Sequence, residues 1–430
     1  MEKFVIRGPC RVKGTVNVSG SKNAALPILA ATLLFNRPVE LKNVPDVRDI
    51  KTMLNLLRFF KKKVIFLKNK KTIKIYNSKK IRTYLPYSIS KTMRGSIICL
   101  GGLVSKYGKA ISAYPGGCAI GMRPINLHLD ALKKLGMKYE IKKGYIYATA
   151  KNGLNGNNIK FKKISVGATE NTIIAASLAK GKTILRNCAI EPEIKDLTNF
   201  LSSAGANIKW IGKRTVQIIG VQQLKSTNYT VMCDRIETGT MAIAAALTGG
   251  ILKIKGLDPK MINTELELVK KTGSIIKYGK NEIKIYGAKK IKNIKLIKTK
   301  EYPGFPTDLQ AQFMVLLCKA EGRSVIEENI FENRFMHALE LQRLGAKISL
   351  KKNKAIIEGN SKLEGAELMS SDLRASVALV LAAIASKGKS TIHRIYHLSR
   401  GYENLDKKLK KIGVNISTIY WWETSFLKKL

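Results

Sequence analysis

Six stretches made mostly of Ala, Leu, Ile and Val recur along the chain, each after a short polar segment. Two of them, Ala24–Leu34 and Ala375–Ala385, are apolar on every side of a helical projection. A helix without a polar face is buried, so the pattern predicts six buried helices. Their polar starts are Lys22–Ala25, Lys91–Arg94, Ala168–Asn171, Glu237–Thr240, Thr307–Gln310 and Ser371–Arg374.

A second, amphipathic helix follows each buried one. These helices are predicted at Val47–Phe60, Pro124–Leu135, Ile194–Ala204, Asn263–Thr272, Arg334–Leu344 and Arg400–Ile412. Most end at a glycine, which is typical of a left-handed C-terminal cap. The segments after them, such as Ala346–Leu350 and Tyr145–Ala148, alternate in polarity as half-buried strands do.

The unit that results is β-α-β-α-β-β, present six times. Counted from Lys22, Lys91, Thr169, Thr238, Asp308 and Asp372, the spacings are 69, 78, 69, 70 and 64 residues. This period is too long for a common solenoid, and six units group as two domains of three. Three buried helices ringed by their own strands and outer helices would make each domain an inside-out α/β barrel. The helix starts would then collect polar side chains where helix N-termini favour phosphate and carboxylate ligands.

Composition excludes several classes of protein. A chain of 430 residues with 45% hydrophobic content supports two or three folded domains. Met1–Gly8 lacks the apolar segment of a signal peptide, and the longest apolar run, Val377–Ala385, is too short to span a bilayer. Six scattered cysteines without a Cys-x-x-Cys pair suit the reducing cytoplasm, and four histidines without a His-Glu-x-x-His motif predict no metal site.

The net charge of +47 raises the alternative of a nucleic-acid-binding protein. The lysines are spread along the whole chain in runs expected to be exposed, such as Lys61–Lys63 and Lys407–Lys408, without a basic tail or interleaved aromatic residues. The chain is also rich in Ile and Asn, which share A/T-rich codons with Lys. We therefore favour compositional drift over a polyanion partner, and expect the positive field to attract small anionic substrates.

One loop, Tyr114–Pro124, combines glycines with a thiol and a guanidinium group. Gly116 and Gly117 permit unusual backbone conformations, and the loop carries Cys118 and, five residues later, Arg123. By itself the segment fits a glycine turn with a small buried cysteine as well as it fits a reactive loop. If it is reactive, the glycines predict a lid that closes over a bound substrate.

Eight motifs together resemble one enzyme family. They are Ser19–Ala25, Pro115–Pro124, Ser165–Thr169, Asp234–Gly239, Phe305–Gln312, Phe331–His337, Asp372–Ala375 and Arg400–Glu403. They are similar to the UDP-N-acetylglucosamine 1-carboxyvinyltransferases, within the EPSP synthase (enolpyruvyl transferase) family, from about residue 1 to 415. The resemblance implies transfer of the enolpyruvyl group of phosphoenolpyruvate to the 3-hydroxyl of UDP-N-acetylglucosamine with release of phosphate, the first committed step of peptidoglycan synthesis.

The resemblance also implies the domain bounds and the cations that bind phosphoenolpyruvate. It implies an N-terminal domain of residues 22–232 and a C-terminal domain of residues 1–21 and 233–430, each an inside-out barrel. Lys22, Arg123 and Arg400 match the family's phosphoenolpyruvate ligands, and Arg94 and Arg374 match a second ring of cations. Guanidinium groups bind phosphate and carboxylate oxygens in pairs, whereas Lys acts as a point charge.

The catalytic roles are likewise carried over from the family. Cys118 is implied as the proton donor or as the residue that forms a covalent adduct with phosphoenolpyruvate, and a thiol near cations is also a target for epoxides. Asp308 matches the base that takes the sugar hydroxyl proton, with Lys22 and Arg400 beside the reacting groups. Asp372 matches a carboxylate near the cations, although an ordinary helix N-cap explains it equally well.

The remaining implied residues bind the nucleotide sugar. They are Asn23, Arg123, Pro124, Ile125, Asn126, Leu127, Lys163, Ser165, Val166, Gly167 and Ile330. The family often has Asp at position 126, so uracil binding by Asn126 is the weakest of these assignments.

Three alternatives remain beside this interpretation. The sister enzyme, 3-phosphoshikimate 1-carboxyvinyltransferase, shares fold and reaction type but lacks the Pro-Gly-Gly-Cys loop, so Cys118 discriminates. The others are the basic nucleic-acid-binding protein and an inactive relative, which the presence of Lys22, Cys118, Asp308 and Arg400 disfavours. We expect a monomeric enzyme of the cytoplasm with no cofactor, no metal, no nucleic acid and no membrane contact.

Overall fold

The computed structural model describes residues 2–78, 80–115, 120–121 and 123–420. The chain divides into two compact units. The N-terminal unit contains described residues 20–78, 80–115 and 123–232. The C-terminal unit contains described residues 2–19, 120–121 and 233–420.

Helices occupy both units. In chain order they are α1 Lys22–Ala31, α2 Arg48–Phe59, α3 Tyr87–Ser90, α4 Cys99–Tyr107, α5 Asn126–Lys134, α6 Val166–Ala176, α7 Pro192–Ser203, α8 Arg235–Leu247, α9 Asn263–Lys271, α10 Gln310–Cys318, α11 His337–Arg343, α12 Leu373–Ala385 and α13 Leu405–Lys411. Short 3-10 helices include Thr32–Leu34, Arg94–Ile98, Thr307–Leu309 and Ile395–Arg400.

Twenty-four strands lie within the described residues. They are β1 Lys3–Gly8, β2 Lys13–Asn17, β3 Val39–Lys42, β4 Lys63–Leu67, β5 Thr72–Tyr76, β6 Tyr84–Leu85, β7 Lys109–Ala113, β8 Lys138–Lys142, β9 Tyr145–Thr149, β10 Asn158–Lys160, β11 Lys182–Arg186, β12 Asn207–Gly212, β13 Thr215–Ile219, β14 Thr227–Thr230, β15 Ile251–Lys255, β16 Ile275–Tyr278, β17 Glu282–Tyr286, β18 Leu296–Lys298, β19 Arg323–Glu327, β20 Lys347–Lys351, β21 Lys354–Glu358, β22 Glu367–Met369, β23 Gly388–His393 and β24 Ile416–Ile419.

The strands form small mixed sheets of four strands each. The N-terminal unit has the orders β14-β3-β5-β4, β6-β7-β9-β8 and β10-β11-β13-β12, and the C-terminal unit has β22-β23-β1-β24, β16-β17-β15-β2 and β18-β19-β21-β20. Each sheet contains one parallel pair, such as β10 with β11, and two antiparallel pairs. Three sheets are completed by a strand from far along the chain: β14 pairs with β3, β2 with β15 and β1 with β23.

The cores are built around apolar helices, as their composition predicts. Every residue from Ala24 to Leu34 is buried, although α1 ends at Ala31 and continues as a 3-10 turn. Every residue from Arg374 to Ile384 in α12 is also buried. The prediction that these two segments are buried helices is confirmed.

Several predicted helix starts are wrong. The helix predicted from Lys91–Arg94 begins as a 3-10 turn at Arg94 and becomes α-helical at Cys99, since Gly95 lowers helix propensity there. The helix predicted from Arg400 begins at Leu405, because the preceding Asn404 adopts a left-handed conformation with φ of 49°. Likewise α11 begins at His337 instead of Arg334. Arg334 and Arg400 are thereby left outside the α-helices.

Two lysines predicted to be exposed are not. Lys62 is only 4% exposed, and its ammonium donates to the carbonyls of Thr32 and Phe35 at 2.9 and 3.0 Å. Lys408 is half-buried and ion-paired with the buried Glu237. A run of lysines therefore does not guarantee a solvated face, because one member can cap a helix end or pair with a buried carboxylate.

Candidate active site

In the C-terminal unit, Asp308 lies between two guanidinium groups. Its Oδ1 accepts a bond from Arg334 Nη2 at 2.9 Å, and its Oδ2 accepts one from Arg374 Nη2 at 2.7 Å. The arginine side chains are 5% and 6% exposed, whereas that of Asp308 is 28% exposed. The carboxylate is thus held from behind by buried cations and remains accessible to a ligand.

Arg374 is fixed at the start of α12. Asp372 is the N-cap of that helix, and its Oδ1 accepts from the backbone N–H groups of Arg374 and Ala375 at 2.9 and 3.2 Å. Burial lowers the pKa of Arg374, but the negative charge of Asp308 and the neighbouring Tyr402 outweigh it and raise the pKa above its usual value. Asp372 therefore acts as an N-cap here, which positions Arg374 whether or not Asp372 also meets a ligand.

Buried Glu328 holds the turn that carries Asp308. It accepts from the hydroxyls of Thr299 and Thr307 at 2.9 Å each. It also accepts from the backbone N–H of Ile330 at 2.9 Å. Since Thr307 precedes Asp308 in the chain, Glu328 links the base candidate to Ile330, the residue implied for the nucleotide sugar.

Arg400 ends the 3-10 helix Ile395–Arg400 and is half-buried. The next residues, Tyr402 and Glu403, are buried. The Tyr402 hydroxyl lies 3.4 Å from Arg374 Nη1 and 2.9 Å from the Thr240 hydroxyl. Burial raises the pKa of Tyr402, so this phenol is a neutral hydrogen-bonding group beneath Arg374.

Ile120 and Gly121 of the glycine loop belong to the C-terminal unit. The Asn333 N–H donates to the Ile120 carbonyl at 3.3 Å. Gly121 has a φ of 139°, a backbone conformation that favours glycine. Cys118, with Gly116 and Gly117, lies outside the described residues.

In the N-terminal unit, Lys22 is the first residue of α1 and forms an ion pair with Asp49. The Nζ–Oδ2 distance is 3.1 Å, and the two side chains are 12% and 5% exposed. Ser21 caps the helix by accepting from Ala24 N–H. Lys22 is therefore held beside the half-buried Asn23 at a helix N-terminus by a buried counter-ion.

Arg94 and Arg123 of the same unit both influence His128. Burial first, then Arg94 and Arg123, lower the pKa of His128 to about 4. Arg123 adopts a left-handed backbone with φ of 46°, a conformation that costs energy for a residue with a side chain and is frequent at functional sites. These two predicted ligands thus lie close to one buried imidazole.

The start of α6 presents free backbone donors. Ser165 is the N-cap and its hydroxyl accepts from Ala168 N–H at 3.3 Å. Within the described part of the chain, the N–H groups of Val166 and Gly167 have no intramolecular acceptor. Such unpaired N–H groups, with the positive end of the helix dipole, favour a phosphate. The predicted ligand Lys163 is exposed two residues before the cap.

The residues predicted to meet the uridine differ in exposure. Pro124 and Asn126 are exposed, Leu127 is half-buried and Ile125 is 1% exposed. A cleft of about 470 Å³ beside them is lined by residues of α5 and of the segment around β10, including Leu127, Phe161 and Lys162. The buried Ile125 supports the turn through packing and offers a ligand only its backbone.

Sequence reasoning missed three polar residues of these clusters. Arg334 was quoted within a motif but interpreted as a helix start, and Asp49 and Glu328 were not singled out. No local signal marks them, because each follows another polar residue in the chain: Arg48 precedes Asp49, Glu327 precedes Glu328 and Asn333 precedes Arg334.

The described residues contain neither a candidate metal site nor a candidate membrane-spanning helix. No three His, Cys, Asp or Glu side chains in that part of the chain converge so as to hold a metal ion. Across the same ranges, no helix is both long and apolar enough to cross a membrane.

Comparison with known proteins identifies relatives over nearly the whole chain. Residues 6–409 match the family described as EPSP synthase (3-phosphoshikimate 1-carboxyvinyltransferase). The UDP-N-acetylglucosamine 1-carboxyvinyltransferase of Pelagibacter ubique is 62% identical, covering 97% of this chain and 100% of the relative. The protein of the same name from Endomicrobium trichonymphae is 49% identical over 98% and 100%.

Solved structures agree in fold. The enolpyruvyl transferase NikO from Streptomyces tendae superposes with a TM-score of 0.87 at 24% identity, covering 97% of this chain and 98% of its own. EPSP synthase from Acinetobacter baumannii superposes with a TM-score of 0.77 at 18% identity, covering 98% and 100%. The mixed α/β fold with many small sheets is therefore that of enolpyruvyl transferases. By full-length sequence identity, the chain belongs to the EPSP synthase family and, within it, to the UDP-N-acetylglucosamine 1-carboxyvinyltransferases.

Proposed function

We propose that the protein transfers the enolpyruvyl group of phosphoenolpyruvate to the 3-hydroxyl of UDP-N-acetylglucosamine, releasing phosphate. Identity of 62% over the whole length of a relative with that name carries the proposal. The clusters around Asp308, Lys22 and the start of α6 supply the base, cations and anion-binding donors that this chemistry requires.

The reaction proceeds by addition and elimination. The sugar 3-oxygen bonds to C2 of phosphoenolpyruvate while its proton passes to Asp308, and the methylene carbon C3 takes a proton from Cys118. Loss of a proton from C3 with departure of phosphate from C2 then restores the double bond. Asp308 suits the base role because Arg334 and Arg374 fix both of its oxygens and leave it partly exposed.

The substrate-binding roles are divided among the clusters. Lys22, Arg123 and Arg400 bind the phosphate and carboxylate of phosphoenolpyruvate, with Arg94, Asp372 and Arg374 around them. Asn23, Lys163, Ser165, Val166 and Gly167 bind the sugar and diphosphate. Arg123, Pro124, Ile125, Asn126, Leu127 and Ile330 complete the nucleotide-sugar site.

The finer architecture is also part of the proposal. Each unit has three four-stranded sheets and apolar buried helices, which supports an inside-out barrel of three β-α-β-α-β-β repeats per domain. The proposed bounds are 22–232 for the N-terminal domain and 1–21 with 233–430 for the C-terminal domain. Both substrates are small cytoplasmic metabolites, so we place the enzyme in the cytoplasm.

Phosphate release from phosphoenolpyruvate tests the function. We expect release that depends on UDP-N-acetylglucosamine and does not occur with shikimate 3-phosphate. Equal rates with both acceptors would contradict the assignment, and so would the absence of release with the nucleotide sugar. Tight binding of nucleic acid at physiological salt, with a steep salt dependence, would favour the nucleic-acid alternative.

A further inference from the structure

Asn171 of α6 has a side-chain orientation that its partners fix. Its Oδ1 accepts from the backbone N–H of Gly101 at 2.8 Å, and its Nδ2 donates to the backbone carbonyl of Ile97 at 3.2 Å. An N–H can only donate and a carbonyl can only accept. The amide therefore cannot be flipped without losing both bonds.

This orientation sets the tautomer of His128. Asn171 Nδ2 lies 3.2 Å from His128 Nδ1, so Nδ1 must accept and the proton of the neutral ring resides on Nε2. Burial, aided by Arg94 and Arg123, lowers the pKa of this imidazole to about 4. At neutral pH the ring is thus an uncharged donor through Nε2.

The Nε2 atom faces the first turn of α6. A Cβ built on Gly167 would lie 3.0 Å from His128 Cε1 and 3.2 Å from Nε2. His128 is 7% exposed, and in the described ranges its Nε2 has no protein partner. An unpaired donor on a buried ring thus lies next to the unpaired N–H groups of Val166 and Gly167.

We infer that His128 is a further ligand for the diphosphate of the nucleotide sugar, donating from Nε2–H, and that Asn171 is the residue that positions it. The inference rests on the proposed function, since it assigns the diphosphate to the start of α6. A neutral donor adds a hydrogen bond where Arg94 and Arg123 already supply positive charge, without the desolvation cost of another buried ion.

Titration of UDP by calorimetry tests this assignment with two substitutions. His128→Phe keeps a ring but removes the donor, and we expect UDP affinity to fall about ten- to a hundredfold, the effect of losing one hydrogen bond to a charged group. His128→Gln can place an amide N–H near the same position and should recover most of the affinity. His393→Phe, at the exposed His393–Glu367 pair, is the control for the substitution itself.

The outcomes separate this inference from the function on which it rests. Wild-type protein that does not bind UDP contradicts the proposed function. Wild-type protein that binds UDP, with His128→Phe binding equally well, contradicts only the role of His128. In turnover assays the KM for UDP-N-acetylglucosamine should rise in His128→Phe, whereas the KM for phosphoenolpyruvate should stay near the wild-type value.

Nitrogen-15 NMR of labelled histidine tests the tautomer without relying on a variant that folds poorly. The chain has only four histidines, so assignment is practical. We expect an unprotonated Nδ1 and a protonated Nε2 in the wild-type His128, and a shift of Nε2 when UDP is added. Asn171→Asp should instead place a proton on Nδ1. A wild-type ring protonated on Nδ1, or one unaffected by bound UDP, would overturn the inference.

Discussion

At the scale of single residues, Asp308 was predicted from the sequence pattern and is also the proposed catalytic base. It lies at the predicted start of the fifth buried helix, where a polar side chain was expected, and its carboxylate is held by Arg334 and Arg374. Two bonds from opposite sides fix the carboxylate plane, so its position depends little on its own side-chain freedom. A base that is already oriented loses little entropy on reaching the transition state.

Replacing Asp308 by Asn should remove the base while changing the side-chain volume little, with the loss of one of the two bonds from arginine because the amide nitrogen cannot accept. We expect kcat to fall about a hundred- to ten-thousandfold, the usual contribution of general base catalysis, with a small change in either KM. Steady-state phosphate release measures both. Asp258→Asn, which alters only the cap of a 3-10 turn, should leave kcat unchanged. A fully active Asp308→Asn enzyme would contradict the role of Asp308.

Arg334 should matter through the geometry of its guanidinium group. Arg334→Lys keeps the charge but loses the planar fork, and we expect kcat to fall about ten- to a hundredfold, since one charge-assisted bond is worth about 1.5–3 kcal/mol. The same exchange at exposed Arg343, whose partner is Glu340, is the matched control. Equal activity of both variants would show that Arg334 has only a packing role.

Cys118 is testable although its position lies outside the described residues. Cys118→Asp should retain turnover, because a carboxylic acid can still donate a proton to C3, but should no longer be alkylated by fosfomycin. Mass spectrometry of the treated protein detects the adduct. A variant that folds and binds UDP yet does not turn over would indicate an obligatory thiol.

Lys62 shows at the element scale how one side chain can complete a buried helix. It donates to carbonyls at the end of the α1 segment, whose other end carries Lys22 and Asn23. Burial, followed by the charge of Lys106, lowers the pKa of Lys62 to about 7. The usual value for the unfolded chain is about 10.4, so between these pH values the unfolded state binds more protons.

This difference makes stability depend on pH with a definite sign. The cost of charging buried Lys62 is present below pH 7 and is relieved as pH rises, so the free energy of unfolding should increase by up to about 1.4 kcal/mol per pH unit from this group. Lys62→Met should remove that slope. Denaturant unfolding at pH 6.5 and 9 compares it with the wild type.

Exposed Lys63 provides the control for the neighbouring position, because Lys63→Met leaves the buried ammonium intact. Its unfolding free energy should follow the wild-type pH dependence. Parallel pH profiles for the wild type and Lys62→Met would show that Lys62 is charged in the folded protein at neutral pH, in conflict with its lowered pKa.

Elements were predictable from sequence where composition alone decided them. The segment Ala375–Ala385 has no polar face, so burial followed directly, and glycines such as Gly345 and Gly413 have positive φ after helices as expected. Predictions of elements were wrong where a glycine or a contact between residues distant in the chain decided the local structure. Gly95 lies in a 3-10 turn that replaces the start of the helix predicted from Lys91, and Lys62 looked solvated because its acceptors lie about thirty residues away in the chain.

The same limit applies to the candidate site. The resemblance names Asp308, Arg374 and Ser165 because they lie within contiguous motifs. The pairs Lys22–Asp49 and His128–Asn171 join residues 27 and 43 positions apart. No local pattern indicates which buried polar residues meet, so these partners required the folded structure.

At the scale of the whole molecule, each of the two units contains its own set of candidate site residues. The C-terminal unit holds Asp308 with its two arginines, and the N-terminal unit holds Lys22 and the start of α6. The net charge of +47 does not require a polyanion partner. A positive field also attracts small anionic substrates such as those proposed here.

Identification of the product tests the central claim most directly. Wild-type protein is incubated with phosphoenolpyruvate and UDP-N-acetylglucosamine, and the nucleotide sugar is analysed by mass spectrometry and proton NMR. We predict one enolpyruvyl ether at the sugar 3-oxygen, formed in equal amount with the phosphate released. An unmodified nucleotide sugar, or enolpyruvyl transfer to shikimate 3-phosphate in its place, would contradict the account.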